Sequence, residues 1–322
     1  MIRQIGQIFL LLVILSQSAS PAAHAQSQKK CLEVGSYHQD YAWQNAIDGG
    51  IAHVLQGHCE LRVFYLDSKR EPSPEAIQKK ALEAKALIDS WQPDVVIATD
   101  DNASRYLVKP YFKDAAIPFV FCGINWTVDE YGYPYSNATG MTELAPIRQA
   151  FEQIKRIVPV VKQGTCMYPG LESEKTACER YAFVLKPFGV EFTLTPVETM
   201  HAFEEQFKAL SDMDFIFFSN NSSIKDWDAA RAKQIVQENA KVLTLTMDEW
   251  MTPFVMLGFT QVGNEQGEYA ASTALKILEG TKPSEIAIVP NRQWNLFVNE
   301  GLLEKAGITI PRDLLQKGKK VE

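Results

Sequence analysis

The chain has 322 residues, 46% of them hydrophobic and 22% charged, with a formal net charge of −7 at pH 7. That length exceeds what one hydrophobic core usually supports, so two domains are expected. An acidic chain without a basic patch argues against nucleic acid or anionic lipid as a partner.

Residues 1–25 read as a targeting segment rather than as part of the fold. Arg3 gives a basic start, residues 8–15 are apolar, and Ala23-His24-Ala25 offers a small-x-small cleavage site. This is the pattern of a secretory signal peptide, and its apolar run is too short to span a bilayer. Arg3 is the one charged residue of that segment, so the mature chain carries 31 basic against 39 acidic residues, a balance of −8. The mature protein is expected outside the cytoplasm, without membrane insertion after cleavage.

All five cysteines fall in the mature part, in an oxidising compartment. Cys31 and Cys59 each stand at the start of a predicted strand. If those strands are parallel neighbours, the two sulfurs are close. Cys166 and Cys178 lie twelve residues apart, on a predicted strand and the helix after it. The expected pairing is 31–59 and 166–178, with Cys122 left as a buried apolar residue. No C-x-x-C pair occurs and the histidines lack ligand spacing, so no metal site is expected.

The first lobe opens with a strand at 32–36. A helix over 41–56 follows, with Trp43, Ile47, Ile51, Val54 and Leu55 on one face and Gly57 as its stop. A second strand at 61–66 precedes a helix started by Ser73 and Pro74, with Ile77, Ala81, Ala84, Ile88 and Trp91 as its buried stripe. The stretch PDVVIATDDN (93–102) holds a short apolar run that ends in a polar burst, the mark of a strand buried on both faces. IPFVFCGINW (117–126) repeats the form. Strands alternating with helices predict a parallel sheet with right-handed crossovers.

Tyrosines and turn residues at 131–140 break the pattern and are expected to carry the chain into a second lobe. There the alternation restarts. Its helices are striped by Ile147, Phe151, Ile154 and Ile157, then by Ala177, Tyr181, Val184 and Phe188. The strands fall at 164–168, 191–195, 214–218 and 242–245. A strand at 255–259, a helix at 264–278, two short strands and a helix at 300–306 close the chain before a polar tail at 317–322. The last seventy residues are too few for a third domain, so they must complete the two existing sheets. The expected division is 31–140 plus 253–283 for lobe one, and 141–252 plus 284–322 for lobe two.

Each predicted strand delivers polar or aromatic groups at its C-terminal end, where open α/β sheets bind ligands. In lobe one these are Ser36, Tyr37 and His38, with Trp43 on the helix that follows; then Asp100, Asp101 and Asn102; then Asn125 and Trp126. In lobe two they are Tyr168, Ser219, Asn220, Asn221 and Trp250. Short hydroxyl and amide groups fix a ligand's polar atoms, aromatic rings cover its apolar part, and an acid pairs with an ammonium. No nucleophile–base set, P-loop or G-x-G-x-x-G is legible, so no catalytic residue and no cofactor is assigned.

The order of VGSYHQDYAWQNAIDGGI, PDVVIATDDNA, IPFVFCGIN, NATGMTE, EGTKPSEIAIVP and LEKAGITIPRDLL resembles the type I periplasmic binding proteins. In particular it resembles the ABC-transporter substrate-binding family that includes tryptophan- and tyrosine-type binders. The resemblance implies an α/β fold of two Rossmann-like lobes with parallel sheets, joined by a three-strand hinge. It also implies a periplasmic protein that closes over a small polar molecule, aromatic or amine-bearing, and delivers it to an ABC permease. By that analogy Ser36, Tyr37, Asp100, Asp101, Asn102, Asn125 and Trp126 belong to the ligand site. The chain departs from the family where small Gly, Ser or Thr residues often follow the third strand. Two aspartates there disfavour a ligand carboxylate at that place. Sequences with similar openings also resemble sensing modules that report to a histidine kinase, which is the alternative reading. A secreted hydrolase is a third, without a motif to support it.

Overall fold

The structure is a computed structural model and describes residues 28–321; the expected signal segment lies outside them. The strands are, in chain order, β1 (Lys29–Gly35), β2 (Cys59–Tyr65), β3 (Val95–Thr99), β4 (Phe119–Asn125), β5 (Ala138–Glu143), β6 (Gln163–Tyr168), β7 (Glu191–Pro196), β8 (Phe215–Phe218), β9 (Leu243–Thr246), β10 (Leu257–Gln261), β11 (Val289–Pro290), β12 (Trp294–Val298) and β13 (Lys319–Lys320). They form two sheets. The first runs β11-β5-β4-β3-β1-β2 and is parallel throughout. The second runs β13-β12-β10-β9-β8-β6-β7, with β10 and β12 antiparallel. Each sheet steps from its first-formed strand toward one edge and then back past it. That reversal is the topological switch beside which α/β sheets bind ligands.

Central strands are apolar because helices cover both faces. All five residues of β3 and all four of β8 are buried. Sheet one carries a separate apolar cluster on each side, one around Leu32, Ile77, Val96 and Phe121, the other around Ile47, Ile51, Ile97 and Ala270. Sheet two packs around Phe151, Phe203, Phe217 and Phe259. Cys31 is joined to Cys59 and Cys166 to Cys178, with Cα atoms 6.0 Å and 5.8 Å apart, and Cys122 is a buried free thiol. Among the described residues no helix is long and apolar enough to cross a membrane.

The structure differs from the sequence expectations in three places. The 131–140 stretch is not the passage between lobes. Tyr131, Tyr133 and Tyr135 are buried in lobe one, and β5 extends sheet one as far as Glu143. Its turn-like composition has a packing cause: a Cβ on Gly140 would collide with the Phe121 carbonyl on β4. The later boundaries move too. β10 pairs with β9 and β12 in sheet two, whereas the helix Gly263–Leu278 packs on lobe one and β11 pairs with β5. The chain therefore crosses between lobes after Glu143, after Gln261 and after Pro290. Lastly, the polar tail at 317–322 follows a helix, Arg312–Lys317, and holds the strand β13, which edges sheet two beside β12.

Helix Gly263–Leu278 comes back to lobe one through a row of small residues. Gly267 lies so near helix Ala42–Leu55 that a Cβ on it would strike the Ile47 carbonyl, and Ala270, Ala271 and Ala274 continue the row with no exposure. Close backbone approach is the use of glycine here. It anchors the second crossing firmly on the first lobe.

Candidate binding cleft between the lobes

Because β1 to β5 run parallel, their C-terminal ends share one edge of sheet one. The backbone bends sharply there. Asp67, Asp100 and Trp126, just beyond β2, β3 and β4, take left-handed conformations with φ of 56°, 65° and 64°. Such geometry is uncommon for aspartate and rarer for a bulky residue, and it clusters at functional sites. Gly123, with φ of 70°, lies against Asp100: a Cβ on it would sit 3.2 Å from the carboxyl.

The sequence-predicted residues at this edge divide into two groups. Ser36, Asp101, Asn102 and Asn125 are engaged with the protein itself. Ser36 Oγ donates to the Thr99 carbonyl at 2.6 Å and accepts the Ala103 N–H at 2.8 Å, which fixes the start of the helix after β3. Asn102 Nδ2 donates to Ser68 Oγ at 2.8 Å, and Ser68 Oγ donates in turn to the Ser36 carbonyl at 2.7 Å. Asp101 accepts from Asn125 Nδ2 at 2.8 Å and from the Tyr131 hydroxyl at 2.7 Å.

Asp100, Tyr37 and Trp43 form the second group. Asp100 is 1% exposed and its Oδ2 has no hydrogen-bond partner. Burial pushes its carboxyl well above the usual range and Asp101 adds to the rise, while Lys69 and the Trp43 and Tyr37 side chains hold it down. Burial and the charges of Asp100, Asp101 and Glu143 push the Tyr37 phenol up. His38 Nδ1 lies 3.3 Å from Asp67 Oδ1 on the neighbouring turn.

From lobe two, Ser219 Oγ donates to Glu174 Oε2 at 3.0 Å, and Asn220 Oδ1 accepts from Ser222. Asn221 is partly exposed. Tyr168 is 8% exposed and packs in the core of its own lobe, whereas Trp250 is 53% exposed. Trp126 crosses to the opposite lobe. Its ring lies 6.5 Å from that of Tyr181, with the Arg180 guanidinium 5.3 Å from its centroid.

Four residues join this set that sequence reasoning did not assign: Tyr41, Lys69, Glu143 and Asp248. Burial raises the Glu143 carboxyl well above its usual range, and Asp100, Asp101 and Asp248 raise it further. Asp248, just beyond β9, is pushed up to about 7 by burial and by Glu174, with Asn220 and Lys69 opposing. Tyr41 is pushed up to about 12 by burial, then by Asp100, Asp248 and Glu143. It thus feels acids of both lobes. Asp248 had a visible signal, since it stands at a predicted strand end. Glu143 lies just past the 131–140 stretch read as the passage between lobes, where no strand was expected.

The crossings are laced together by side chains. Glu265 accepts the backbone N–H groups of Arg292 and Gln293, both at 2.8 Å. Gln266 accepts from Gly123 N at 2.9 Å and donates to the Thr142 carbonyl at 3.3 Å. Among the described residues no group of three or more His, Cys, Asp or Glu side chains is placed to hold a metal ion.

Residues 66–322 match the family model of ABC transporter substrate-binding proteins. The chain belongs to that family. Solved structures agree on its fold, that of the type I periplasmic binding proteins. A conserved domain protein from Vibrio cholerae is 18% identical, with 92% of this chain and 100% of that one covered at a TM-score of 0.61. An ABC domain from Streptococcus pneumonia in complex with L-Trp is 16% identical, with 91% and 100% covered and a TM-score of 0.61. The ligand-free, open structure of a substrate-binding protein with adhesive properties from Clostridium difficile is 14% identical, with 92% and 99% covered and a TM-score of 0.72. No curated protein matches the sequence. The role of this substrate-binding protein is thus the binding of a small-molecule solute, and the permease of an ABC transporter is the partner its family implies.

Proposed function

We propose that the protein works outside the cytoplasm, where its two lobes close over a small polar solute, aromatic or amine-bearing, and deliver it to an ABC permease. The observation that carries this reading is Asp100. Its carboxyl is buried at a strand end with Oδ2 unpartnered, on a strained backbone, beside two aromatic side chains. A buried polar atom without a partner is costly. A solute donor reaching Oδ2 removes that cost, so the arrangement suits binding better than folding. The solved relative with L-Trp bound supports an aromatic amine as the kind of molecule, and the lobe-spanning influence of Asp248 on Tyr41 supports closure from both sides.

Thermal melting of protein stripped of co-purified solute, against a library of amino acids and amines, tests the reading. Ligand at a hundredfold its Kd stabilises the folded state by about 2.7 kcal/mol. A rise in Tm with members of the library is expected. Flat melts across the whole library would overturn the reading.

A further inference from the structure

Lys69 lies on the turn after β2. The base of that turn is tied to sheet one: Leu66 N donates to the Gly35 carbonyl at 2.8 Å and Ser68 N to the Ser36 carbonyl at 3.1 Å. The next residue, Arg70, pairs with Asp40 at 2.6 Å. Lys69 does something else. Its Nζ stands 4.6 Å from the centroid of Tyr37 and 5.0 Å from that of Tyr41. Those two rings meet edge to face, 5.1 Å apart. The same ammonium lowers the proton affinity of Asp100, Glu143 and Asp248, which come from the ends of β3, β5 and β9. A cation thus sits on two aromatic faces and acts electrostatically on three acids, one of which keeps Oδ2 buried and unpartnered.

A lysine is suited to such a temporary post. Its charge is compact, its four-carbon stem is flexible, and it hangs from an exposed turn. Aromatic faces attract any ammonium and do so more strongly once water is excluded. We propose that the Lys69 ammonium is an internal occupant of the cation seat, and that the solute is a small organic ammonium, without a carboxylate at that end, which displaces it on binding. This rests on the solute-capture reading above and narrows it. Three carboxyls face Lys69 at this seat, and the other cation described in the cleft, Arg180, stands against Trp126 instead. The competing role for Lys69 is to hold a ligand carboxylate, and the two roles predict opposite effects of removing its charge.

Isothermal titration of stripped protein with tyramine and tryptamine, and with tyrosine and tryptophan, separates them, since each pair differs only by a carboxylate. Lys69→Met keeps the stem and removes the charge; Lys69→Arg keeps a cation and serves as the control. The expected result is that Lys69→Met binds the two amines about tenfold more tightly than the wild type, while Lys69→Arg stays near it. Amines bound equally or more weakly by Lys69→Met, or amino acids preferred by the wild type and lost in the variant, would overturn the proposal and leave solute capture standing. Absence of heat with all four probes in all three proteins would overturn the proposal together with the amine chemistry on which it rests.

Discussion

Asn291 brackets Leu144: its Oδ1 accepts the Leu144 N–H at 2.7 Å and its Nδ2 donates to the Leu144 carbonyl at 3.2 Å. Leu144 belongs to the first crossing and Asn291 to the third, so one side chain couples two of the strands on which the lobes hinge. Hinge closure needs crossings that bend together. Asn291→Ala leaves both Leu144 backbone groups unpaired. We expect a stability loss of about 1–3 kcal/mol in urea unfolding, and a larger radius of gyration for the solute-free protein by small-angle scattering.

The adjacent aspartates after β3 should respond in opposite directions. Asp101→Ala removes the acceptor for Asn125 and Tyr131 and should cost about 2–3 kcal/mol. Asp100→Asn removes a buried carboxyl that has an unpartnered oxygen and the charge of Asp101 beside it. Asparagine also tolerates the left-handed backbone. That variant should gain about 1 kcal/mol in stability and lose solute binding, the usual exchange between stability and function. Paired denaturation and titration experiments check both.

Stability should also depend on pH through Asp248. Its folded-state pKa of about 7 lies above its ordinary value near 4. Unfolding therefore releases a proton between those values, so this contribution is fully present below about pH 4 and lost as pH rises to about 7. Glu174, Glu143, Lys69, Tyr41 and Tyr181 are titratable groups that interact with it. Denaturation at pH 5 and pH 8 should show a smaller drop in Asp248→Asn than in the wild type, by about 1–2 kcal/mol.

The crossing of helices Ala42–Leu55 and Gly263–Leu278 supplies a packing test. Gly267→Ala forces a methyl into the Ile47 carbonyl and should cost about 3 kcal/mol or more, because backbone cannot yield as a side-chain tip can. Gly301 lies in a helix whose nearest obstacle, Asn299 Oδ1, is 3.7 Å from an added Cβ. Gly301→Ala should instead stabilise by about 0.5–1 kcal/mol.

Much of this architecture is legible in the sequence because buried parallel strands are written as apolar runs. VVIAT and FIFF needed no context to be recognised, and the helical stripes through Ile77 and Phe151 gave the covering layers. The failures have physical causes. YGYPYSNATG looks like a turn, yet its end is the start of β5, which must be small where Gly140 meets Phe121. Lys319 and Lys320 look like a tail because an edge strand is free to carry charge. At the site, a strand end points to a place but does not reveal where each side chain there is directed. Ser36, Asp101 and Asn102 have the right chemistry for a ligand and use it on their neighbours, while Lys69 reads as ordinary surface and sets its ammonium against the Tyr37 and Tyr41 rings.

The most direct test of the whole account is calorimetric binding of a library-selected solute to stripped wild-type protein and to Asp100→Asn/Asp248→Asn, which loses one acid from each lobe. The account predicts saturable one-to-one binding in the wild type and a loss of at least a hundredfold in the folded double variant. Equal affinity in the two proteins would contradict it, because the solute would then be held somewhere other than between the ends of β3 and β9.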